Sequence, residues 1–447
     1  MLIQIPKKAL LEDRIRSYFA AGCKRAADRM VGVEWEKIGV YRESGLAIRY
    51  AGERGVEAIF ERLVARFGWT PVRAGGRTVA LKKDGSSITL EPGGQIELSG
   101  AKACALDENV LELYAHLEEV KEVSEPLGIV WLGLGLQPFS RLEDIEWSPK
   151  PRYRIMREGL GGELTQAMMK QTASIQISLD YMNEADAAGI FRLANALSPL
   201  LTALFANSPL ACGRPSGWLS RRAHIWTRTA PERTGFVPAV FKPRFGFGDY
   251  LDYALRMPML FIVRGGRWIP ARGTSFQTFL KNGLGPYHAA EEDWELHLTT
   301  IFTDVRLKRY VEIRMMDCQK KELGLSAPAL LKGIFYDPVS RRKAGGLFEG
   351  MTAPEWKRLK EEAAVKGLEA VWRGKSLLGP ARRLTDWSEE GLKRLAGGSL
   401  ALEREARYLM PLKKMLQKGV TPAEELLAGL PKNRPDAVRY VLERAAI

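Results

Sequence analysis

The chain has 447 residues, 46% of them hydrophobic and 27% charged, as is usual for a globular protein in water. This length exceeds one ordinary domain. No apolar run is long enough to span a bilayer, no apolar leader is visible, and the four cysteines are widely scattered. We therefore predict a cytoplasmic protein with no membrane partner, no disulfide framework and no structural zinc site.

The formal net charge of +14 raises the possibility of a nucleic-acid partner. Residues 320–447 hold 25 Lys and Arg against 16 Asp and Glu, so +9 of the charge lies there. Basic and acidic residues are interleaved on helical patterns in this region, which favours a solvated surface and predicts no nucleic-acid partner. Nucleic-acid binding is kept as an alternative function, and a salt-dependent shift of labelled RNA or DNA would test it.

Helices and polar-faced strands share the first part of the chain. Their periodicity predicts helices over about 9–30, 55–68, 106–125 and 184–205, and strands over 31–37, 78–83, 88–100, 128–136 and 173–180. Residues 137–156 and 207–235 are predicted as irregular connections. Hairpin-like breaks such as Pro92-Gly93-Gly94 replace a regular βαβ alternation, so we predict an α+β fold with a mixed or antiparallel sheet. We assign residues 1–335 to a catalytic domain and residues 336–447 to a helical C-terminal region packed on it.

A strand near residues 310–317 carries the most informative pattern. Val311, Ile313 and Met315 would face one side, whereas Glu312 and Arg314 would face the other. A carboxylate and a guanidinium two residues apart on one strand can serve a magnesium–phosphate group together. The alternative interpretation is a solvated edge strand with a surface Glu–Arg pair.

Other predicted strands present the same kind of polar face. The candidate ligands are Glu34, Glu36, Glu91, Glu97, Gln176 and Glu312. Several carboxylates on one sheet face would repel each other unless a cation lay between them. Hard oxygen ligands of this kind suit magnesium, which is also bound by substrate phosphates.

Long segments of the chain resemble the plant-type glutamate–cysteine ligases, a family shared by plants and many bacteria. The similar segments span roughly residues 15–340 and include GCKRAADRMVGVEWEKIGV, SITLEPGGQIELSGA, QPFSRLEDIEWSPKPRYRIM and DWELHLTTIFTDVRLKRYVEIRMMD. The resemblance implies a glutamine-synthetase-like catalytic sheet. It also implies ATP-dependent joining of L-cysteine to the γ-carboxylate of L-glutamate through γ-glutamyl phosphate, the first step towards glutathione.

The resemblance also implies roles for individual residues, with ATP and Mg²⁺ as cofactors. Glu36, Glu91 and Glu97 would hold one magnesium cluster and Glu34, Gln176 and Glu312 another, while Arg314 would contact the transferred phosphoryl group. Thr172, Arg222 and Arg233 would bind glutamate, with the two arginines suited to its α-carboxylate. His224 and Trp226 would shape that pocket, and a structural role for both is the alternative.

Several positions depart from the family pattern. Gln171 stands in place of Arg, Arg228 in place of Asp, Ala173 in place of Cys, and Met315-Met316 in place of Gly-Ala. The changes near the expected pocket motivate a second hypothesis, a γ-glutamyl ligase of the same fold that uses another amine acceptor. In either case we expect small-molecule substrates and a monomer or homodimer, without the thiol-switch regulation of plant members.

Overall fold

The computed structural model describes residues 7–447, and a nine-stranded sheet lies at the centre of this part of the chain. Its strands are β1 (Val31–Tyr41), β2 (Thr70–Ala74), β3 (Arg77–Lys83), β4 (Ser86–Leu90), β5 (Ile96–Ser99), β6 (Ile129–Leu132), β7 (Ser174–Leu179), β8 (Val305–Leu307) and β9 (Val311–Asp317). The strand order is β8-β9-β7-β1-β5-β4-β3-β2, and β6 pairs with β1. Every pairing in this sheet is antiparallel.

Helices surround the sheet and make up most of the C-terminal part. They are α1 (Lys7–Ser17), α2 (Val56–Phe67), α3 (Leu106–Ser124), α4 (Pro151–Gly159), α5 (Thr165–Gln171), α6 (Glu184–Leu204), α7 (Arg221–Thr227), α8 (Phe247–Arg256), α9 (Phe276–Asn282), α10 (Glu291–Leu298), α11 (Lys321–Gly324), α12 (Ser326–Tyr336), α13 (Pro338–Gly345), α14 (Ala353–Lys366), α15 (Leu378–Ala396), α16 (Leu400–Glu403), α17 (Met410–Lys418), α18 (Pro422–Ala428) and α19 (Arg434–Ala445). Short two-stranded pairs join Leu210–Ala211 to Arg214–Pro215, Thr234–Gly235 to Phe302–Thr303, Phe261–Arg264 to Arg267–Pro270, and Val371–Trp372 to Lys375–Ser376.

The long strand β1 explains why the sheet has one apolar and one polar face. Trp35 is fully buried between Glu34 and Glu36 in the sequence, because successive side chains of a strand point to opposite faces. The apolar face of the sheet packs against α6 and α12, whose side chains belong to the main hydrophobic core. The opposite, polar face carries Glu34 and Glu36 of β1.

Helix α6 is the longest helix among the described residues. It is long and apolar enough to cross a membrane by length and composition, yet 78% of its apolar window is buried inside the protein. Asn183 begins the helix by accepting a hydrogen bond from the Asp186 backbone amide. These features are those of a core helix.

Most predicted elements are confirmed, but the strand predicted over 128–136 covers only Ile129–Leu132, and three further regions differ. The N-terminal helix ends at Ser17, and Gly22 then lies so close to Arg309 that a Cβ atom would come within 2.4 Å of its backbone oxygen. Residues 137–156, predicted as irregular, contain the start of α4, where Pro151 occupies the first turn and needs no amide partner. Residues 207–235 contain α7, which Ser220 caps at the Ala223 amide.

The C-terminal helices pack against the rest of the molecule. Helix α14 lies along α6, and α15 packs on α12. The α+β fold with an antiparallel sheet, flanking helices and a helical C-terminal region is confirmed. The division at residue 335 stays a prediction.

Candidate active site

The register of the sheet brings the predicted ligands of β1, β5 and β7 together. Glu34 lies opposite Gln176 on one side and Ser99 on the other, and Glu36 lies opposite Glu97. Residues directly opposite each other in an antiparallel pair point to the same face. Three strands therefore contribute to one polar surface, which we call the carboxylate face.

Glu91 joins this face from the turn between β4 and β5. The Thr89 hydroxyl donates to Glu91 Oε1 at 3.0 Å and lies 3.4 Å from Glu97 Oε1. The Tyr153 hydroxyl donates to the other oxygen of Glu91 at 3.3 Å. The hairpin predicted around Pro92-Gly93-Gly94 thus places Glu91 beside Glu97.

Strand β9 closes the other end of the carboxylate face. Glu312 lies opposite Ser178, and the register shifts between Ile313 and Met316. Arg314 Nη1 donates to Glu312 Oε1 at 3.0 Å and also contacts the side-chain oxygen of Gln176. All six predicted ligands and Arg314 therefore share one face.

The charge states at the β1–β5 end reflect burial first and then the crowding of like charges. Burial and the neighbouring Glu91 carboxylate raise the pKa of Glu36 to about 7, although Ser174 donates to it through its amide at 2.5 Å and its hydroxyl at 2.8 Å. Burial together with Glu34, Glu91 and Glu36 raises the pKa of Glu97 well above its usual value. Burial, followed by the charge of Glu312, also raises the pKa of Glu34. Such a cluster favours a bound cation or a proton.

Glu312 is in the opposite state. Arg306 Nε donates to Glu312 Oε2 at 2.5 Å and Arg306 Nη2 to Oε1 at 2.8 Å. Although burial opposes ionisation, the charges of Arg306, Lys308 and Arg314 hold the pKa of Glu312 below its usual range. Glu312 is therefore an ionised carboxylate with both oxygens occupied.

These residues fit magnesium only as an incomplete cage. Among residues 7–447, no three carboxylate, histidine or cysteine side chains are close enough to form a ready-made metal site. Magnesium commonly takes one or two protein carboxylates and completes its shell with water and substrate phosphates. The hard oxygens of Glu36, Glu91 and Glu97 meet that requirement, whereas Glu312 would first have to exchange a bond to Arg306.

A cavity of about 370 Å³ adjoins the carboxylate face at Arg314. Its lining includes Met315, the aromatic side chains Trp226 and Phe302, and Trp356 from α14. The cationic side chains that line it are those of Arg222, Arg228, Arg314, Lys357 and Lys360. The cavity is therefore suited to an anionic organic molecule that reaches Arg314.

Only some of the predicted glutamate-binding residues line the cavity. Arg222 and Trp226 line the cavity, with Arg222 Nη1 and Nη2 donating to the Met315 and Arg314 carbonyls at 3.2 and 3.0 Å. His224 does not line it and stacks on Trp218 with ring centroids 3.9 Å apart. Thr172 lies outside the lining too, and its hydroxyl donates to the Met168 carbonyl at 2.6 Å.

Arg233 is held by partners within the protein. Its guanidinium donates to the Thr300 and Pro258 carbonyls at 3.1 and 2.6 Å and to Glu232 at 3.2 Å. The residue is only 1% exposed and does not line the cavity. Its role in substrate binding stays a prediction that requires these bonds to be exchanged.

Sequence reasoning did not select four residues with roles here: Arg306, Lys308, Asp304 and Lys360. The first two alternate with Val305 and Leu307 in the same period of two as β9, so the signal was present beside the predicted strand. Lys360 lies on α14, far along the chain, and its contact with Asp304 has no local sequence signal.

Comparison with known proteins identifies the family. Residues 30–443 match glutamate–cysteine ligase family 2 (GCS2). The chain belongs to this family. The chloroplastic glutamate–cysteine ligase of Nicotiana tabacum is 39% identical over 428 residues, covering 95% of this chain and 80% of that protein. The chloroplastic enzyme of Arabidopsis thaliana is 39% identical over 429 residues, with the same coverage.

A solved structure shares the fold. The glutamate–cysteine ligase of Francisella tularensis, crystallised in complex with AMP, superposes with a TM-score of 0.57 at 13% identity, covering 95% of this chain and 88% of that one. At this identity the likeness concerns the fold alone. The family match and the sequence relatives confirm the predicted family and its ligase function.

The predicted cytoplasmic location is wrong by these comparisons. The similar plant proteins carry names that describe them as chloroplastic, which contradicts the prediction. The physical reason lies in the signals themselves. Organelle transit segments are amphipathic and rich in Arg and Ser, so a search for an apolar leader does not detect them and cannot decide for the cytoplasm.

Proposed function

We propose that the protein joins L-cysteine to the γ-carboxylate of L-glutamate with ATP, releasing γ-glutamylcysteine, ADP and phosphate. The γ-carboxylate attacks the γ-phosphorus of ATP, and the bond to the ADP oxygen breaks. The cysteine amine then attacks the carbonyl carbon of γ-glutamyl phosphate, and phosphate leaves as the amine loses its proton. A carboxylate is a poor electrophile, so activation as an acyl phosphate is what makes the second step possible.

One observation carries this proposal: Arg314 belongs to both halves of the site. It contacts Glu312 and Gln176 on the carboxylate face and lines the cavity on its other side. A phosphoryl group on the carboxylate face and a substrate carboxylate in the cavity would therefore meet at its guanidinium. Fixed positive charge at that point stabilises the charge that develops during phosphoryl transfer.

The metal and substrate roles are part of the same proposal. Glu36, Glu91 and Glu97 would hold one magnesium ion, and Glu34, Gln176 and Glu312 another. Magnesium, when bound, neutralises phosphate charge and orients the phosphate oxygens. In the cavity, the Arg222 guanidinium would bind a substrate carboxylate and Trp226 would limit the pocket.

The test is release of phosphate by the purified protein with ATP, MgCl₂ and L-glutamate on addition of L-cysteine. Mass spectrometry should identify γ-glutamylcysteine, and omission of either amino acid should abolish product. The proposal would be overturned if none of the amines tested caused phosphate release. A product without a γ-glutamyl bond would also overturn it.

A second candidate keeps the activation chemistry and changes the acceptor. Of the positions that depart from the family pattern, Met315 and Arg228 line the cavity. A panel of amino acids and amines, assayed by ADP release at fixed glutamate, separates the two candidates. Cysteine as clearly the best acceptor excludes the second.

A further inference from the structure

Asp304 is a carboxylate within the otherwise cation-rich cavity. It precedes β8, lines the cavity, and its side chain is 12% exposed. The other acidic residue of the lining, Glu361, is exposed. A partly buried carboxylate in this position either serves only to pair with a neighbouring cation or also recognises something in the cavity.

The contacts of Asp304 occupy only one of its two oxygens. Oδ2 accepts hydrogen bonds from Lys360 Nζ at 2.6 Å and from the Ser198 hydroxyl at 2.5 Å. Lys360 is itself 3% exposed and also donates to the Thr202 hydroxyl at 2.6 Å. Oδ1 has no hydrogen-bond donor among residues 7–447, and because Asp304 lines the cavity, this is the oxygen left for a ligand.

The backbone fixes Asp304 relative to the catalytic arginine. Its amide donates to the Gly235 carbonyl at 2.7 Å, and its carbonyl accepts the Arg314 amide at 2.9 Å. Asp304 and Arg314 therefore cannot move apart without breaking the short pairing around β8 and β9. A ligand held by Asp304 would be held at a fixed position relative to the phosphoryl-transfer site.

The chemistry of the open oxygen selects the ligand. An ionised carboxylate accepts hydrogen bonds and cannot donate, so it repels phosphate and carboxylate groups and binds a cationic donor. Both amino-acid substrates of the proposed reaction carry an α-ammonium group beside a carboxylate. Arg222 and Arg314 are available for carboxylate and phosphoryl groups, which leaves Asp304 as the complement of an ammonium.

We propose that Asp304 binds the α-ammonium group of an amino-acid substrate, and that Lys360 of the C-terminal region is a positioning residue which holds it. This inference rests on the proposed function, because the ligand is one of that reaction's amino acids. It also gives the C-terminal helices a role in specificity, since α14 supplies both Lys360 and part of the cavity wall.

Asp304→Asn tests the proposal because it keeps the shape and removes the charge. We expect the KM for one amino acid to rise at least tenfold while the KM for ATP stays within twofold. A higher KM for L-glutamate identifies glutamate as the ligand of Asp304. A higher KM for L-cysteine identifies the acceptor amino acid as that ligand. Unchanged constants for both amino acids, or an equal loss for both amino acids and ATP, would overturn it.

Substrate analogues without the amino group separate recognition from a merely structural effect. If Asp304 binds the glutamate ammonium, Asp304→Asn should leave inhibition by glutarate within twofold of the wild-type value. If it binds the cysteine ammonium, inhibition by 3-mercaptopropionate should stay unchanged in the same way. If Asp304→Asn weakened binding of the analogue as much as binding of the corresponding amino acid, the proposal would be contradicted.

Two further variants keep the test independent of folding. If Asp304→Asn is unstable because Lys360 is left unpaired, the double variant Asp304→Asn with Lys360→Met removes both charges and should show the same selective rise in KM. Glu362→Gln, which removes a partly buried acid of α14 that pairs with Lys366 at 2.9 Å and does not line the cavity, is the control and should keep all three constants. Calorimetric binding of glutamate and cysteine gives the same comparison if the wild-type protein forms no γ-glutamyl product, so the two proposals fail separately.

Discussion

At one end of the carboxylate face, Glu36 and Glu97 lie beside other carboxylates, whereas at the other end Glu312 lies between Arg306 and Arg314. The pKa values of Glu36 and Glu97 are raised, whereas the pKa of Glu312 is lowered. Burial acts in the same direction at both ends, so the neighbouring charges decide the difference. One end is prepared to receive a cation, and the other already contains its counter-charges.

Arg314→Ala should have the largest effect, because it removes the residue that joins the two halves of the site. We expect kcat for ligation to fall by about 10²–10³-fold, the scale of losing one transition-state electrostatic contact. Steady-state kinetics measure this, with thermal unfolding to verify the fold. Arg439→Ala, which removes an exposed arginine of α19, is the control. If kcat of Arg314→Ala were close to that of the control, Arg314 would have no catalytic role.

Glu312→Gln removes the ion pair at the Arg306 end of the carboxylate face. It leaves the Arg306 guanidinium buried without its anion, and breaking a buried pair costs about 3–5 kcal/mol of unfolding free energy. Urea unfolding of the metal-free protein measures the loss. Replacing both partners, as in Arg306→Met with Glu312→Leu, should recover most of the stability. Equal stability of Glu312→Gln and the wild type would show that the pair does not hold β8 against β9.

His297 separates burial from the effect of neighbouring carboxylates. It is 2% exposed, its Nε2–H donates to the Ala254 carbonyl at 2.8 Å, and burial lowers its pKa to about 4. The unfolded chain, with an ordinary histidine pKa near 6.5, therefore takes up the proton first as the pH falls. Stability should drop between pH 6.5 and pH 4, by about 1.4 kcal/mol per pH unit from this residue.

The measurement for His297 is urea unfolding at pH 6.5 and pH 5. His297→Phe should lose about 2 kcal/mol less than the wild type over that interval, because the group that titrates is gone. His288→Gln, at an exposed position, should keep the wild-type dependence. An unchanged dependence in His297→Phe would contradict the assignment.

Local patterns predicted much of this molecule from the sequence. The alternation around Glu34, Gln176 and Glu312 identified the strands, and antiparallel pairing was enough to bring their side chains to one face. The alternation of Val305, Arg306 and Leu307 gave a signal for a polar face, but alternation alone does not tell which residue of a neighbouring strand lies opposite Glu312. The pairing of Lys360 with Asp304 joins α14 to the start of β8, and contacts between distant segments leave no trace in local periodicity.

Glu97→Gln should have the smallest effect and the opposite sign from Glu312→Gln. Because the folded pKa of Glu97 lies above its unfolded value, the metal-free protein loses stability as the pH rises above about 4.5, and an uncharged side chain avoids that loss. We expect Glu97→Gln to raise the unfolding free energy of the metal-free protein at pH 7. Added MgCl₂ with a non-hydrolysable ATP analogue should stabilise the variant less than the wild type, since at a given concentration a ligand that binds the folded state more weakly stabilises it less. If the variant were less stable without metal, Glu97 would be satisfied by the protein itself, and the two ends of the carboxylate face would not differ in the way the geometry indicates.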